Sequence, residues 1–354
     1  MKILLVIPSL PLGGAERVMS VLANKFVALN HDVHLVLLAK DEIFYSLDKR
    51  IVVHQLGFEN KGKLSKIISE VKTYFRLRKL IKNENPDVVL SFMVKYNIFT
   101  IMAAAFLKTK VFVSDRCNPN KKIPWLRDTL RDRLYRSATG VIAQTQLAKS
   151  VLSESTKHQN IKVIHNPLKN MEIKPYLNRE KIILNVGRLA PEKGQLKLIE
   201  EFCQIEQTGW KLMILGDGPL YATLQAKIKE LNAQSKVILE GAVSDVESYL
   251  QRASLFVFSS FSEGFPNALA EAMCSGLPCI SFDCEAGPNE IITNGENGIL
   301  VPVGDFETLH KELETLINNS HERERLAAAA VKTNEDLAID KITHEYLSFF
   351  KASK

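Results

Sequence analysis

The chain is expected to fold as α/β, in two Rossmann-like domains built on doubly wound parallel sheets. Three observations predict this. A length of 354 residues suits two domains of common size. Apolar runs alternate with helical periods from end to end, the rhythm of repeated βα units. Several of those runs are continuous, such as Val88-Val89-Leu90 and Phe256-Val257-Phe258, as parallel strands covered on both faces require.

The elements follow in order. The opening apolar run stops at Pro8, and Gly13, Gly14, Glu16 and Arg17 stand where a signal peptide would carry its cleavage site. It therefore reads as a first strand, 2–7, with a helix from about Ala15. Further strands are expected at 33–38, 51–56, 87–92, 110–114, 139–143 and 161–165. Asn166-Pro167 to Arg179 carries two prolines and breaks the rhythm, so it reads as a linker. The second half resumes at 181–186, 211–215, 236–240, 255–258, 278–282 and 298–301. The expected domains are 1–168 and 169–337, with a terminal helix in 338–354. The cleft between such domains is the default binding site.

Composition narrows the class. Hydrophobic content of 46% and charged content of 24% are ordinary for a soluble globular protein. The five cysteines, at 117, 203, 274, 279 and 284, form no Cys-x-x-Cys pair, which predicts reduced thiols in a cytosolic protein. The uncharged stretch Tyr96 to Leu107 is too short to span a bilayer. Charge is shared unevenly. Residues 1–168 hold 27 Lys and Arg against 13 Asp and Glu, a balance of +14, and residues 169–354 hold 19 against 27, a balance of −8. The first half therefore expects an anionic partner: a membrane surface, a nucleic acid or a phosphorylated acceptor.

Two segments carry chemistry. In Glu263-Gly-Phe-Pro-Asn-Ala-Leu-Ala-Glu271, two carboxylates bracket a turn that opens a helix. Pro266 suits the first helical position, and first-turn amides form an anion site. The layout fits a ligand with a central diphosphate and hydroxyl-bearing rings at both ends, the shape of a nucleotide-sugar. The plain alternative is a helix start whose acidic residues the dipole favours. In the second segment, Ile182, Ile183, Leu184 and Val186 read as a buried strand that Gly187 ends. Arg188 and Lys193 follow at the carboxyl end of that strand, where open α/β sheets bind ligands. A forked guanidinium and a point-charge ammonium suit a diphosphate. The alternative is a solvated charged turn.

Together these segments resemble the retaining glycosyltransferases of family 4, which have the GT-B fold. The glutamate pair matches that family's signature, the Gly187-Arg188…Lys193-Gly194 segment matches its diphosphate loop, and the opening through Gly13-Gly14-Ala15-Glu16-Arg17 matches its first strand and loop. The resemblance implies transfer of a hexose or N-acetylhexosamine from a nucleotide diphosphate sugar, with uridine the common base. The implied acceptor is a lipid-linked glycan or a growing polysaccharide. It implies roles as follows. Arg188 and Lys193 stabilise the leaving diphosphate, Glu263 binds donor-sugar hydroxyls, and Glu271 binds the ribose. Gly264, Phe265, Pro266, Asn267, Ala268 and Leu269 complete the donor site, with Gly14 over the phosphates and Gly241 and Val243 at the base. Gly13, Asp115 and Arg116 face the acceptor. Relatives often carry His where this chain has Arg116, so Arg116 is taken as a catalytic contact, with a structural pairing to Asp115 as the alternative. In such enzymes the departing phosphate itself takes the acceptor proton, and the last helix crosses back to the first domain.

Other readings are weighed beside this. No Asp-x-Asp occurs, so no metal and no other cofactor is expected. Gly216-Asp217-Gly218-Pro219 is not a Gly-x-Gly-x-x-Gly fingerprint, which counts against a dehydrogenase. An epimerase or phosphorylase on the same fold, or a non-catalytic nucleotide-sugar-binding subunit, are the rivals. No nucleic-acid motif accompanies the basic stretches, so no nucleic-acid partner is expected. Those stretches are Lys61–Lys82, with Leu64, Ile67, Ile68, Val71 and Phe75 at helical spacing, and Lys121–Arg136, with Trp125 and Leu126. Each reads either as a helix lying on an anionic membrane or as a domain-core stripe with solvated charges. The expected location is cytoplasmic, peripheral on the inner face of the cytoplasmic membrane.

Overall fold

The structure, a computed structural model, describes residues 1–11, 13–58, 62–122, 124–168, 176, 179–206 and 209–353. Most of the expected linker (169–175, 177 and 178) lies outside the described residues, as do Lys61 and the side chains of Lys63 and Leu64. Contacts divide the chain into two compact units: Met1–Lys169 with Leu337–Lys354, and Asn170–Asp336.

The first unit runs β1 (Lys2–Ile7), α1 (Gly14–Ala28), β2 (Asp32–Ala39), β3 (Val52–Phe58), α2 (Lys63–Glu84), β4 (Val88–Phe92) and α3 (Val94–Ala104). It continues through β5 (Lys110–Ser114), α4 (Trp125–Leu134), β6 (Gly140–Ala143), α5 (Gln146–Thr156) and β7 (Ile161–Val163). The second unit runs β8 (Ile182–Val186), α6 (Gln195–Gln204), β9 (Lys211–Leu215), α7 (Tyr221–Glu230), β10 (Val237–Gly241), α8 (Val246–Arg252) and β11 (Leu255–Phe258). Then come α9 (Asn267–Cys274), β12 (Cys279–Phe282), α10 (Pro288–Ile291), β13 (Ile299–Val301), α11 (Phe306–Asn318), α12 (Ser320–Ala330) and α13 (Thr333–Leu337). The last helix, α14 (Ile339–Ala352), belongs to the first unit. Every expected strand is present, its ends moved by two residues at most.

Both sheets are parallel throughout, in the orders β3-β2-β1-β4-β5-β6-β7 and β10-β9-β8-β11-β12-β13. Period-two alternation splits the first unit's core. Ile3, Leu5 and Ile7 face α1 and α14, while Leu4 and Val6 face the layer of α2, α3 and α5. Helix α14 buries Ile342, Tyr346, Leu347, Phe349 and Phe350 there, each worth roughly 1.5–3 kcal/mol relative to exposure. Helix starts are capped where a polar residue precedes them. Thr145, Asp245, Asp305 and Asn319 each accept the N–H three residues on.

Helix α2 removes one of the two sequence readings, the core stripe. Its core-facing residues are Thr73, Leu77 and Ile81, all buried. The stripe of Ile67, Ile68, Val71 and Phe75, which reads equally as core from spacing alone, is solvent-exposed.

Candidate active site

In an open parallel sheet, ligands bind beyond the carboxyl ends of the strands where the strand order reverses. In the second unit that point lies between β8 and β11. The loop after β8 carries Arg188 and, in a 3₁₀ turn over Pro191–Lys193, the predicted phosphate lysine. The loop after β11 carries Glu263. Backbone contacts bring the two loops together: the Ser259 hydroxyl donates to the Lys193 carbonyl (2.8 Å) and the Phe261 N–H to the Glu192 carbonyl (2.8 Å). Gly194, at φ 67°, permits this approach, since a Cβ there would collide with the Ser259 carbonyl oxygen.

Lys193 and Glu263, read separately from sequence, form an ion pair with Nζ–Oε1 of 2.5 Å, and both side chains are mostly buried. The ammonium also lies 5.8 Å from the centre of the Phe258 ring. An ammonium has three donors, so two remain for other acceptors while one holds Glu263. Cys284 lies beside the pair. Burial, reinforced by the Glu263 charge against the opposing Lys193, pushes its thiol up to about 12, so it stays protonated and inert at neutral pH.

Arg188 is exposed at the end of β8, with no ion pair to its guanidinium among the described residues. Its backbone is supported by a side chain that sequence reading missed. Gln195, buried at the start of α6, directs Nε2 to the Arg188 carbonyl (3.3 Å) and to Asn185 Oδ1 (3.4 Å). Asn185 donates in turn to the Val257 carbonyl across the β8–β11 pair (2.9 Å). A polar residue inside the run Ile-Ile-Leu-Asn-Val was the available signal.

The segment Gly216-Asp217-Gly218 packs against the start of the loop that follows β8. The Gly187 N–H donates to the Leu215 carbonyl and the Leu189 N–H to the Asp217 carbonyl, each at 3.0 Å. Gly216 sits at φ 138° against the Gly187 carbonyl oxygen. Gly241, the last residue of β10, accepts the Gly216 N–H at 2.7 Å, and Val243 is half-buried in the loop beyond it.

Helix α9 begins at Asn267, so Pro266 caps the helix instead of filling its first position. The Asn267 N–H donates to the Phe265 carbonyl at 2.9 Å, so the amides from 265 to 268 do not all point outward. Phe265 and Leu269 are buried with their side chains in the core, leaving only their backbones to meet a ligand. Gly264, Asn267 and Ala268 are half-buried, and Glu271 is buried inside α9. Glu271→Gln is expected to raise the KM for the sugar donor about 10- to 100-fold with a smaller change in kcat, since a hydrogen bond to a charged group is worth about 1.5–3 kcal/mol. Initial-rate kinetics at varied donor concentration check this.

In the first unit the strand order reverses between β1 and β4. After β1, Gly13 is extended and Gly14 opens α1. Tyr45, another side chain missed from sequence, clamps this loop: it accepts the Gly13 N–H (3.0 Å) and donates to the Gly13 carbonyl (2.8 Å). Met93 follows β4 at φ 74°. After β5, Asp115 is held by the Tyr135 hydroxyl and by Asn97 Nδ2 at 3.2 Å. Burial pushes its carboxyl up, against the downward pull of those hydrogen bonds. Arg116, at φ 64°, turns away. Its guanidinium lies 3.7 Å from the centre of the Phe92 ring and donates to Asn166 and to the Tyr346 hydroxyl. Burial lowers its pKa, with the Tyr346 oxygen opposing. A direct Asp115–Arg116 pairing is therefore not what the structure has: adjacent side chains leave the strand end on different sides.

Among the described residues, the group offering convergent metal-ligand atoms is His34, His54 and Glu84. It contains none of the residues above. Internal bonds account for it: His34 Nδ1 meets His54 Nε2 at 2.9 Å, and the Lys2 ammonium meets Glu84 at 3.0 Å.

The architecture recurs in solved proteins. HepE of Anabaena, solved in complex with UDP and glucose, superposes with a TM-score of 0.84 at 19% identity, covering 99% of this chain and 100% of that one. The fold class is thus GT-B. Two family models, "Glycosyltransferase Family 4" over residues 12–169 and "Glycosyl transferases group 1" over 169–333, match nearly end to end. A Campylobacter jejuni α-1,4-N-acetyl-D-galactosaminyltransferase acting on an undecaprenol-diphosphate glycan is 29% identical, covering 100% of this chain and 99% of its own. The amylovoran biosynthesis glycosyltransferase AmsD of Erwinia amylovora is 26% identical, covering 94% and 95%. The chain belongs to the family 4 glycosyltransferases and is a glycosyltransferase of bacterial glycan biosynthesis.

Proposed function

We propose that the chain transfers a hexose or N-acetylhexosamine, with retention, from a UDP-sugar to a lipid-diphosphate-linked glycan in surface-glycan assembly. The Lys193–Glu263 pair beside Arg188, at the β8–β11 reversal, carries this reading. Cleaving the glycosyl–phosphate bond builds negative charge on the leaving diphosphate. Arg188 and two free Lys193 donors stabilise it electrostatically. Glu263 positions donor-sugar hydroxyls while orienting Lys193, and Glu271 takes the ribose hydroxyls. Gly14 and the backbone from Gly264 to Leu269 complete the donor contacts, with Gly241 and Val243 at the base. Gly13 and Asp115 serve the acceptor. Arg116 acts there through the geometry it imposes, because its end nitrogens are engaged within the first unit. The leaving phosphate accepts the acceptor hydroxyl's proton, so no protein base is needed. The C. jejuni relative's undecaprenol-diphosphate substrate supports a lipid-linked acceptor.

The chemistry is expected to run without a divalent ion. Transfer from an α-linked UDP-sugar in excess chelator should yield an α-linked product by proton NMR. A β-linked product would exclude retention, and activity lost in chelator but restored by magnesium or manganese would exclude ion independence. Sugar phosphate formed only with inorganic phosphate would favour a phosphorylase.

A further inference from the structure

We propose that His34, His54 and Glu84 form a binding site for a divalent cation of the zinc type, which staples the edge of the first unit's sheet to helix α2. The three offer ligand atoms that all lie within 4.8 Å of one another. The site is separate from the sugar chemistry and does not rest on it.

The fold brings the three together from distant positions. In the register of β2 against β3, His34 lies opposite Val52 and Val36 lies opposite His54. By period-two alternation both histidines take the sheet face that holds Val36 and Leu38 and, from α2, Leu77 and Ile81. Glu84 is the last residue of α2. His34 is buried, whereas His54 and Glu84 are half-buried, and β3 is the edge strand of its sheet. An ion therefore has a route in from solvent.

A carboxylate stands behind the buried imidazole: Asp32 Oδ1 lies 3.3 Å from His34 Nε2. Such a carboxylate holds the ring proton on its own side and turns the other nitrogen, here Nδ1, forward as a ligand. That nitrogen faces His54 Nε2 at 2.9 Å and Glu84 Oε2 at 3.7 Å. Zinc takes imidazole and carboxylate ligands at about 2.0–2.2 Å, which sets tetrahedral ligand–ligand edges of about 3.3–3.6 Å. The two spacings bracket that range. Without an ion, His54 donates to His34 and the Lys2 ammonium covers Glu84. With one, His54 passes from its Nε2–H to its Nδ1–H tautomer, so neutral imidazoles lose no proton. Lys2 then turns to Asp32, already 3.6 Å away. Asp32 and Glu84 set two negative charges against the one positive charge of Lys2, which favours a further cation. Glu84 also sits at a helix carboxyl end, where the dipole disfavours an anion that no cation meets. Three protein ligands leave a fourth position for water. The group lies toward the amino ends of β2 and β3, away from the carboxyl-end loops of the candidate site, so the ion's role is structural.

Zinc chloride titrated into the chelator-treated full chain, read by calorimetry and thermal unfolding, tests this. One ion per chain should bind with micromolar or tighter affinity and raise the unfolding midpoint. His54→Gln and, separately, Glu84→Gln should weaken binding at least tenfold. Asp32→Asn should weaken it about 10- to 100-fold by releasing the His34 ring. Circular dichroism without zinc is the folding control, and the two ligand variants lie on different elements, so one that misfolds leaves the other to decide. Cobalt(II) in place of zinc should show a nitrogen–oxygen site with no thiolate charge-transfer band. Absence of binding, undiminished binding by a folded His54→Gln or Glu84→Gln chain, or a thiolate band would overturn the proposal.

Discussion

Lys193→Ala is expected to slow nucleotide diphosphate release about 10²- to 10³-fold with the fold intact. This is the range for removing one preorganised donor from a site of developing charge. Two effects combine. The leaving diphosphate loses an ammonium, and Glu263 loses the partner that holds it at 2.5 Å. Lys193→Arg should recover little, because a planar fork cannot replace a point charge at a mostly buried position. Steady-state kinetics of both variants, with circular dichroism as the folding control, check this. A Lys193→Ala enzyme within threefold of wild type would remove Lys193 from the chemistry.

Gly216→Ala is expected to cost roughly 3 kcal/mol and to raise the donor KM more than tenfold. The residue sits at φ 138°, where L side chains are strained, and its Cβ would enter the Gly187 carbonyl oxygen. Relief requires the Gly187-Arg188 loop to move, and that loop carries a proposed phosphate contact. Denaturant unfolding and donor titration are the measurements. Gly218→Ala, whose Cβ would meet the Leu189 backbone in the same loop, should act in the same direction.

The strands were legible because both faces of each sheet are covered. Runs such as Leu255–Phe258 are apolar at every position and buried at every position. The helices were less so. In α2 two apolar stripes share the helical period, and spacing cannot rank them. Tertiary packing chose the one with Leu77 and Ile81 and left Phe75 outside. Within the site, local motifs revealed Arg188, Lys193 and Glu263 but not their pairing, which spans 70 positions and depends on β8 and β11 being neighbours. Pro266 reads as a first-turn proline from composition, and helix hydrogen bonding places it one residue earlier. Tyr45 carried no local signature, and for Gln195 the signal lay in its partner, the polar Asn185 inside an apolar strand, since each acts only through the loop it meets. The pairing of Arg116 with Asp115, the alternative that their adjacency suggests, is absent because backbone geometry sends the two side chains apart.

The most direct test is a donor panel. Purified chain is incubated with individual nucleotide-sugars and a bacterial lipid extract, and released nucleotide diphosphate is measured for wild type and Glu263→Ala. The account predicts release from one UDP-sugar, dependent on the extract and lost in the variant. Donor binding without release from any sugar, with the extract present, would contradict it and leave a binding subunit.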